Sequence, residues 1–330
     1  MFTKMQVLEN ISGTLLDDFL AAGWYRMQHT IFTTHVLRRE DVPLNAIWLR
    51  NRLDLWETPS SYIKLQKRNK KFRLEIAKAQ PFLEAHKNLF SAYRRVTFGD
   101  RQASLDHYLF DVNGFHPYDS YQVDCYDGEE LIGCGIFDMG SVSAAGIVSF
   151  FDRQYDAHSI GRYLIYAMIE YCKSIGLHYF YPGYVVPGDP AFDYKLNFGP
   201  DTIEFYRIST QEWLPWKEKD EHEDYIGQLI AQLQKIQEGL ANVGVQSEVV
   251  QYRFFELATH LFWGDAVLDH PYYLRTALSE DPEKEIIMIY DLLQDEIHTM
   301  EIEHLPDCYD ETTQPITYNS LILAPKKEQE

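Results

Sequence analysis

Apolar and polar positions change rhythm sharply around the middle of the chain. Gly146 to Phe151 is a short run of apolar, β-branched and aromatic residues, the pattern of a buried strand, and the charged stretch Asp152 to Ala157 ends it. From Ile160 the spacing lengthens. Ile160, Tyr163, Leu164, Ala167, Met168, Tyr171, Cys172 and Ile175 recur at steps of three and one, which predicts an amphipathic helix stopped by Gly176. His178 to Val186 is again almost wholly aromatic or β-branched, a second strand. Strand, helix and strand in this order predict a βαβ unit, with a parallel pair and a right-handed crossover.

The same rules extend outward. Leu15–Ala22 reads as a helix closed by Gly23, Thr30–Thr34 and Ala46–Leu55 as strands, and Pro81–Arg95 as a helix with Phe82, Leu89, Phe90 and Tyr93 on its apolar face and His86 at the surface. Tyr121–Tyr126 and Leu131–Asp138 are strands joined by an Asp127-Gly128 turn. Ile203–Arg207 is a further strand. The charge run Lys217–Asp224 marks a boundary, followed by a helix over Tyr225–Leu240 and a second over Ser247–Leu261. The apolar runs Glu283–Ile302 and Ile316–Leu323 do not declare helix or strand. The organisation expected is an N-terminal region 1–140, a central βαβ unit 141–216, and an acidic, largely helical extension 217–330.

Composition narrows the class. A chain of 330 residues with 45% hydrophobic and 15% aromatic content is globular rather than disordered. Its start, MFTKMQVLENISG, has no apolar core of signal-peptide length, and no run reaches a membrane span, so a cytoplasmic protein without a membrane partner is expected. Cys125, Cys134, Cys172 and Cys308 are scattered without a CxxC, as suits reduced thiols and no zinc site. The net charge of −20 is uneven. Residues 216–330 hold 24 acids against 8 bases, a net of −16, while residues 1–215 hold 26 against 22, a net of −4. The first two thirds can therefore carry a local basic patch. Lys64, Lys67, Arg68, Lys70, Lys71 and Arg73 form one, six bases in ten residues.

The loop into the central helix is where chemistry can sit, because unpaired N–H groups at a helix N-terminus attract anions. In GNAT acyltransferases this spot holds the acetyl-CoA pyrophosphate through Arg/Gln-x-x-Gly-x-Gly/Ala. Here the loop reads His158-Ser-Ile-Gly161-Arg-Tyr163. The frame resembles GNAT, but Tyr163 would crowd the CoA approach. The stretch is more similar to the arginyl-tRNA–protein and leucyl-tRNA–protein transferases, whose pattern is matched by Phe150-Phe151-Asp152, Ser159-Ile160-Gly161, Ile175-Gly176-Leu177, Tyr181-Pro182-Gly183-Tyr184 and Tyr194-Lys195. Upstream, Gly23, Trp24, Arg26 and Phe32 fit the same family, as do Ser61, Lys64, Lys67, Arg68 and Asn69. The cysteines that hold a metal or cluster in such relatives are absent, with His35, Val36 and Asp41-Val42-Pro43 in their place.

The resemblance implies an α/β (α+β) GNAT-like fold and transfer of an amino acid from aminoacyl-tRNA to the N-terminal Asp or Glu of an acceptor protein, with aminoacyl-tRNA as co-substrate and no cofactor. It implies catalytic roles for Tyr184, Asp138 and Lys195. It places substrate against His158, Ser159, Gly161, Arg162, Tyr181, Gly183 and Tyr194. Lys64, Lys67, Arg68, Lys70, Lys71 and Arg73 would contact tRNA phosphates, which dominate affinity in such complexes. No Ser–His–Asp or Cys–His arrangement is evident, and an activated ester needs none. A CoA-dependent N-acetyltransferase and a non-catalytic module that binds protein N-termini or RNA remain as alternatives.

Overall fold

A computed structural model describes residues 3–39, 42–79, 81–98, 104–111, 113–220, 223–252, 255, 268–276, 284–303 and 321–323. The chain opens with β1 (Thr3–Val7), α1 (Gly13–Ala21), β2 (Tyr25–Met27), β3 (Thr30–Thr34), β4 (Val36–Arg39), β5 (Val42–Asn45) and β6 (Ile47–Arg52). It continues through α2 (Ser60–Arg68), β7 (Arg73–Lys78), α3 (Glu84–Phe98), α4 (Leu105–Leu109), β8 (Ser120–Asp127), β9 (Glu130–Met139) and β10 (Ser143–Phe151). Then come α5 (Ile160–Ser174), β11 (Tyr179–Val185), α6 (Pro190–Asp193), β12 (Ile203–Arg207) and β13 (Glu212–Pro215). The last third holds α7 (Tyr225–Asn242), β14 (Ser247–Gln251), β15 (Tyr272–Thr276), β16 (Lys284–Asp291), β17 (Glu296–Glu303) and β18 (Leu321–Leu323).

The central sheet has eight strands in the order β13-β12-β6-β11-β10-β9-β8-β7. Only β10 and β11 are parallel, and α5 is their crossover, as the periodicity predicts. Helix α5 lies on one face, and its stripe of Ile160, Leu164, Met168 and Cys172 packs with Ile132, Phe137 and Phe180. It lies close because Gly133 and Gly135 face it: a Cβ there would meet Ile160 at 2.7 Å and Met168 at 2.1 Å. On the other face α3 and α4 bury Phe90, Leu105 and Leu109 against Cys134, Ile136 and Phe150. Each such large side chain contributes about 1.5–3 kcal/mol when fully buried.

Several expectations need correction. The boundary expected at residue 140 cuts through one sheet, since β9 and β10 pair along their length. His86 is buried, not at the surface; on the inward face of α3, one turn from Phe90, it packs on Phe82, and its Nε2 stands 3.1 Å from the Asp124 carboxylate. Tyr163 turns into the core toward Tyr62 and so crowds nothing in the loop. The described part of 217–330 is one helix packed on a five-stranded antiparallel sheet, order β14-β15-β16-β17-β18, rather than largely helical. Ser247–Gln251 is a strand where a helix was expected; residues 253, 254 and 256–261 of that segment, like 316–320, lie outside the described residues. Alternation decides it: in β16, Glu285, Ile287 and Ile289 are buried with less buried residues between them. This layer docks through Val36 and Ile208, which join its core, and through the ion pair of Arg207 with the buried Glu223 at 2.7 Å.

Candidate active site at a splayed strand pair

The parallel pair holds register for only three residues, Ser143 to Ala145 against Tyr179 to Tyr181. Beyond them both strands depart. β10 bulges between Gly146 and Val148. β11 breaks register with β6 between Phe180 and Gly183, where Pro182 has no N–H to give and Gly183 sits at a φ of +90° that disfavours any side chain. The two strands open over a cavity of about 730 Å³.

Tyr25 occupies the apex of the opening. Its hydroxyl donates to the Gly146 carbonyl and lies 3.2 Å from the Tyr181 carbonyl, bridging the two strands where their ladder stops. Burial pushes this phenol well above its ordinary range, with the Asp138 carboxylate adding to the shift, so it stays a donor. Nothing in the sequence singled it out beyond its place between Gly23 and Arg26.

Of the residues expected at the site, Ser159, Gly161, Arg162, Gly183, Tyr184, Tyr194 and Lys195 line the cavity together. Tyr184 stands edge-on to Trp48 at 5.1 Å and stacks on Phe192 at 5.5 Å, and burial lifts its phenol to about 12. Its hydroxyl makes no hydrogen bond among the described residues. Lys195, half-buried, donates from Nζ to the Tyr184 carbonyl at 2.6 Å and lies 5.2 Å from the ring centres of Tyr184 and Phe192. No described carboxylate pairs with it, and loss of water lowers its ammonium to about 7. At the mouth, Ser159 takes a left-handed φ of 51° to start α5, and Arg162 projects exposed without an ion pair among the described residues. Tyr25, Trp48, Tyr93, Tyr108 and His107 complete the lining and were not anticipated.

Three expected residues lie elsewhere. Asp138 is fully buried below the cavity, where it accepts from Arg26 at 2.8 Å and from Ser120 at 2.5 Å. Burial raises its carboxyl and Arg26 opposes the rise. It positions Arg26, which also donates to the carbonyls of Leu109 at 2.5 Å and Gln28 at 2.7 Å. His158 anchors the basic segment: its Nδ1 is 3.0 Å from Asn69 Oδ1, and its carbonyl accepts from Asn69 Nδ2 at 3.0 Å. Tyr181 is buried edge-on to Trp213 at 5.5 Å, offering the site only its carbonyl.

The basic segment abuts the mouth. Tyr62 and Leu65 bury one face of α2 against α5, with Tyr62 stacked on Tyr166 at 4.7 Å, which turns Lys64, Lys67 and Arg68 outward. Arg68 reaches Ser159 Oγ at 3.3 Å. Lys71 pairs with Asp127 at 3.2 Å and Arg73 pairs with Glu75, both at the exposed surface. A separate buried trio, His86, Asp124 and Cys134, has donor atoms within 4.8 Å of one another. Burial and Asp124 push the Cys134 thiol well up, which suits a hydrogen-bonded cluster tying α3 to the β8–β9 hairpin.

A mixed sheet whose parallel pair splays beside the N-terminus of its crossover helix is a GNAT-like fold. Residues 85–204 match the family described as arginine-tRNA-protein transferase, C terminus. The chain is 24% identical over 198 residues to the aspartate/glutamate leucyltransferase of Helicobacter hepaticus, covering 58% of this chain and 80% of that one. It is 26% identical over 213 residues to the enzyme of the same name from Leptospira interrogans serovar copenhageni, covering 62% and 80%. In sequence the chain is thus similar to aminoacyl-tRNA–protein transferases over its first two thirds. Among solved structures, a tandem GNAT protein from the clavulanic acid biosynthesis pathway aligns at 12% identity with a TM-score of 0.33, over 59% of this chain and 58% of that chain.

Proposed function

We propose that this protein moves an aminoacyl group from tRNA to the α-amino group of an acceptor polypeptide that begins with Asp or Glu, and that the group moved is apolar, of the leucine kind. One observation carries the reading. In a chain of net charge −20, the splay cavity is lined by Arg26, His107, Arg162 and Lys195 and, among the described residues, by no Asp or Glu. Such a lining favours a carboxylate and the phosphates of a tRNA 3′ end, and it has no acid to receive a guanidinium donor.

In the reaction the acceptor nitrogen attacks the ester carbonyl. The new amide C–N bond forms, the ester C–O bond to the terminal ribose breaks, and the amine proton ends on the departing ribose hydroxyl. The residues supply position and charge. Arg162 and the free N–H groups of α5 hold the terminal phosphates, with Lys64, Lys67, Arg68 and Lys70 along the backbone leading to them. The Tyr184 hydroxyl orients the ester and relays the proton. Lys195 pairs with the acidic acceptor side chain, whose approach restores its proton. The reaction belongs in the cytoplasm, where aminoacyl-tRNA is made.

The test is incubation with labelled Leu-tRNA and Arg-tRNA and peptides differing only in their first residue. Label should pass from Leu-tRNA to Asp- and Glu-initiated peptides. A protein that binds these partners but labels none is a recognition module instead.

A further inference from the structure

A second cavity, of about 650 Å³, lies between the end of β7, α3, α4 and the start of β8, and the reading above leaves it without a role. It touches the first. Arg26 and His107 line both, so the two spaces meet at these side chains. Arg26 is a fixed wall, held at Asp138, Ser120 and the Leu109 carbonyl. His107 is exposed, and its carbonyl is held by Gln28 Nε2 at 3.0 Å.

The two linings differ in charge. The second cavity carries Asp106 and Asp111, where the first has no acid. Asp106 shares its charge with Lys87 at 2.6 Å. Asp111 accepts the backbone N–H groups of Asn113 and Phe115 at 2.8 and 2.7 Å, which fixes its carboxylate and holds it ionised. A polypeptide N-terminus with an acidic first side chain carries both signs. Among the described lining residues, its ammonium finds acids on the second side, and its carboxylate finds the unpaired Arg162 and Lys195 on the first.

We propose that the second cavity is the acceptor subsite, which holds the first few residues of the acceptor polypeptide and delivers its α-nitrogen to the Arg26–His107 junction. The assignment rests on the transfer reading above. It also gives the junction a chemical task. An ammonium leaving the acids for a cation-lined space loses its proton more readily, and only the neutral amine can attack.

The experiment uses an Asp-initiated peptide with a photoreactive residue at its third position, crosslinked to the full chain and mapped by mass spectrometry. Adducts should fall on the segments containing Pro81, Lys87 and Phe110. In parallel, Ala79→Phe fills the second cavity. It should raise the acceptor KM about tenfold or more and leave the aminoacyl-tRNA KM within about twofold. Adducts confined to residues 146–165 and 182–198, or no adducts, overturn the subsite even where the wild type transfers. Adducts at the second cavity without transfer by the wild type uphold the subsite and overturn the transfer reading. An Ala79→Phe protein of unchanged acceptor KM, folded by circular dichroism, counts against the subsite as well.

Discussion

The hydroxyl of Tyr25 is bonded to the carbonyl of Gly146, a residue 121 positions further along the chain, where the parallel ladder stops. The bond holds the splay open and satisfies a carbonyl that β11 no longer reaches. Tyr25→Phe keeps the ring and removes the bond. It should cost about 1–3 kcal/mol of stability, read as a lower melting temperature, and lower kcat/KM about tenfold or more as the apex closes. A variant with wild-type melting and turnover retires the wedge. The wild type should give no heat with acetyl-CoA in calorimetry.

Tyr184→Phe should fold normally, because the stacking on Phe192 and the edge contact with Trp48 are kept. Turnover should fall by about 10²–10⁴ if its hydroxyl relays the proton, with tRNA affinity unchanged. Equal rates in the two proteins would remove the hydroxyl from the mechanism.

Lys195 sets a pH dependence. Its folded-state value of about 7 lies below the ordinary lysine value of 10.5. The unfolded chain therefore binds more protons than the folded one between about pH 7 and 10.5, and this residue's contribution to stability rises with pH across that window. The burial cost is full below pH 7. Function runs the other way: the acceptor KM should increase as pH rises above 7, because less of the lysine is charged. In Lys195→Met the acceptor KM should be high and flat with pH. Binding of an Asp-initiated peptide at pH 8 should also take up protons, seen as heats that vary with the buffer's ionisation enthalpy.

Lys64, Lys67 and Lys70 are exposed and without ion pairs among the described residues, and Arg68 leans on the loop into α5. Neutralising all four should weaken tRNA binding and flatten its salt dependence by about 0.7–0.9 in log–log slope for each phosphate left without its cation. Adding Lys71→Gln and Arg73→Gln should weaken binding further, but by less per charge, because Asp127 and Glu75 already engage these two side chains. An unchanged slope in the quadruple variant makes the segment a solvated face.

Ending the chain after Trp216 removes α7 and the second sheet. The eight-stranded sheet keeps all its strands, so a cooperative melt should persist, at a lower temperature because Val36 and Ile208 lose their cover. Molten protein without near-ultraviolet circular dichroism would show that the two layers fold as one.

The central unit was legible because its signals are local. The stripe of α5 and the Asp127-Gly128 turn each lie within a few residues of what they determine. The partner of β11 on its far side was not, since β6 lies about 130 residues earlier and no turn announces the pairing. At the site, the residues from Ser159 to Arg162 and from Gly183 to Lys195 follow from two loops at the ends of the βαβ unit. Tyr25 does not, being one of 23 tyrosines placed by a tertiary contact. The resemblance pointed to Asp138; its pairing with Arg26, 112 residues away in the chain, is a tertiary contact that the sequence does not show. In the last third, five-residue strands among many charges leave too short a period to tell from a helix.

The contacts of Tyr25 and Arg26 have a consequence for how the molecule comes into being. The apex bond and the Arg26–Asp138 pair span 121 and 112 residues of chain. Contacts of such separation form late, after the loops between them have been closed at an entropic cost. On the ribosome the first thirty residues must wait, half made, until β10 and β11 emerge before the splayed strand pair can be bridged. The stretch matched to the family, 85–204, lacks both side chains and also β6, β7 and β13, so synthesised alone it could complete neither the sheet nor the apex bond. The two contacts that close the cleft are therefore among the last to form.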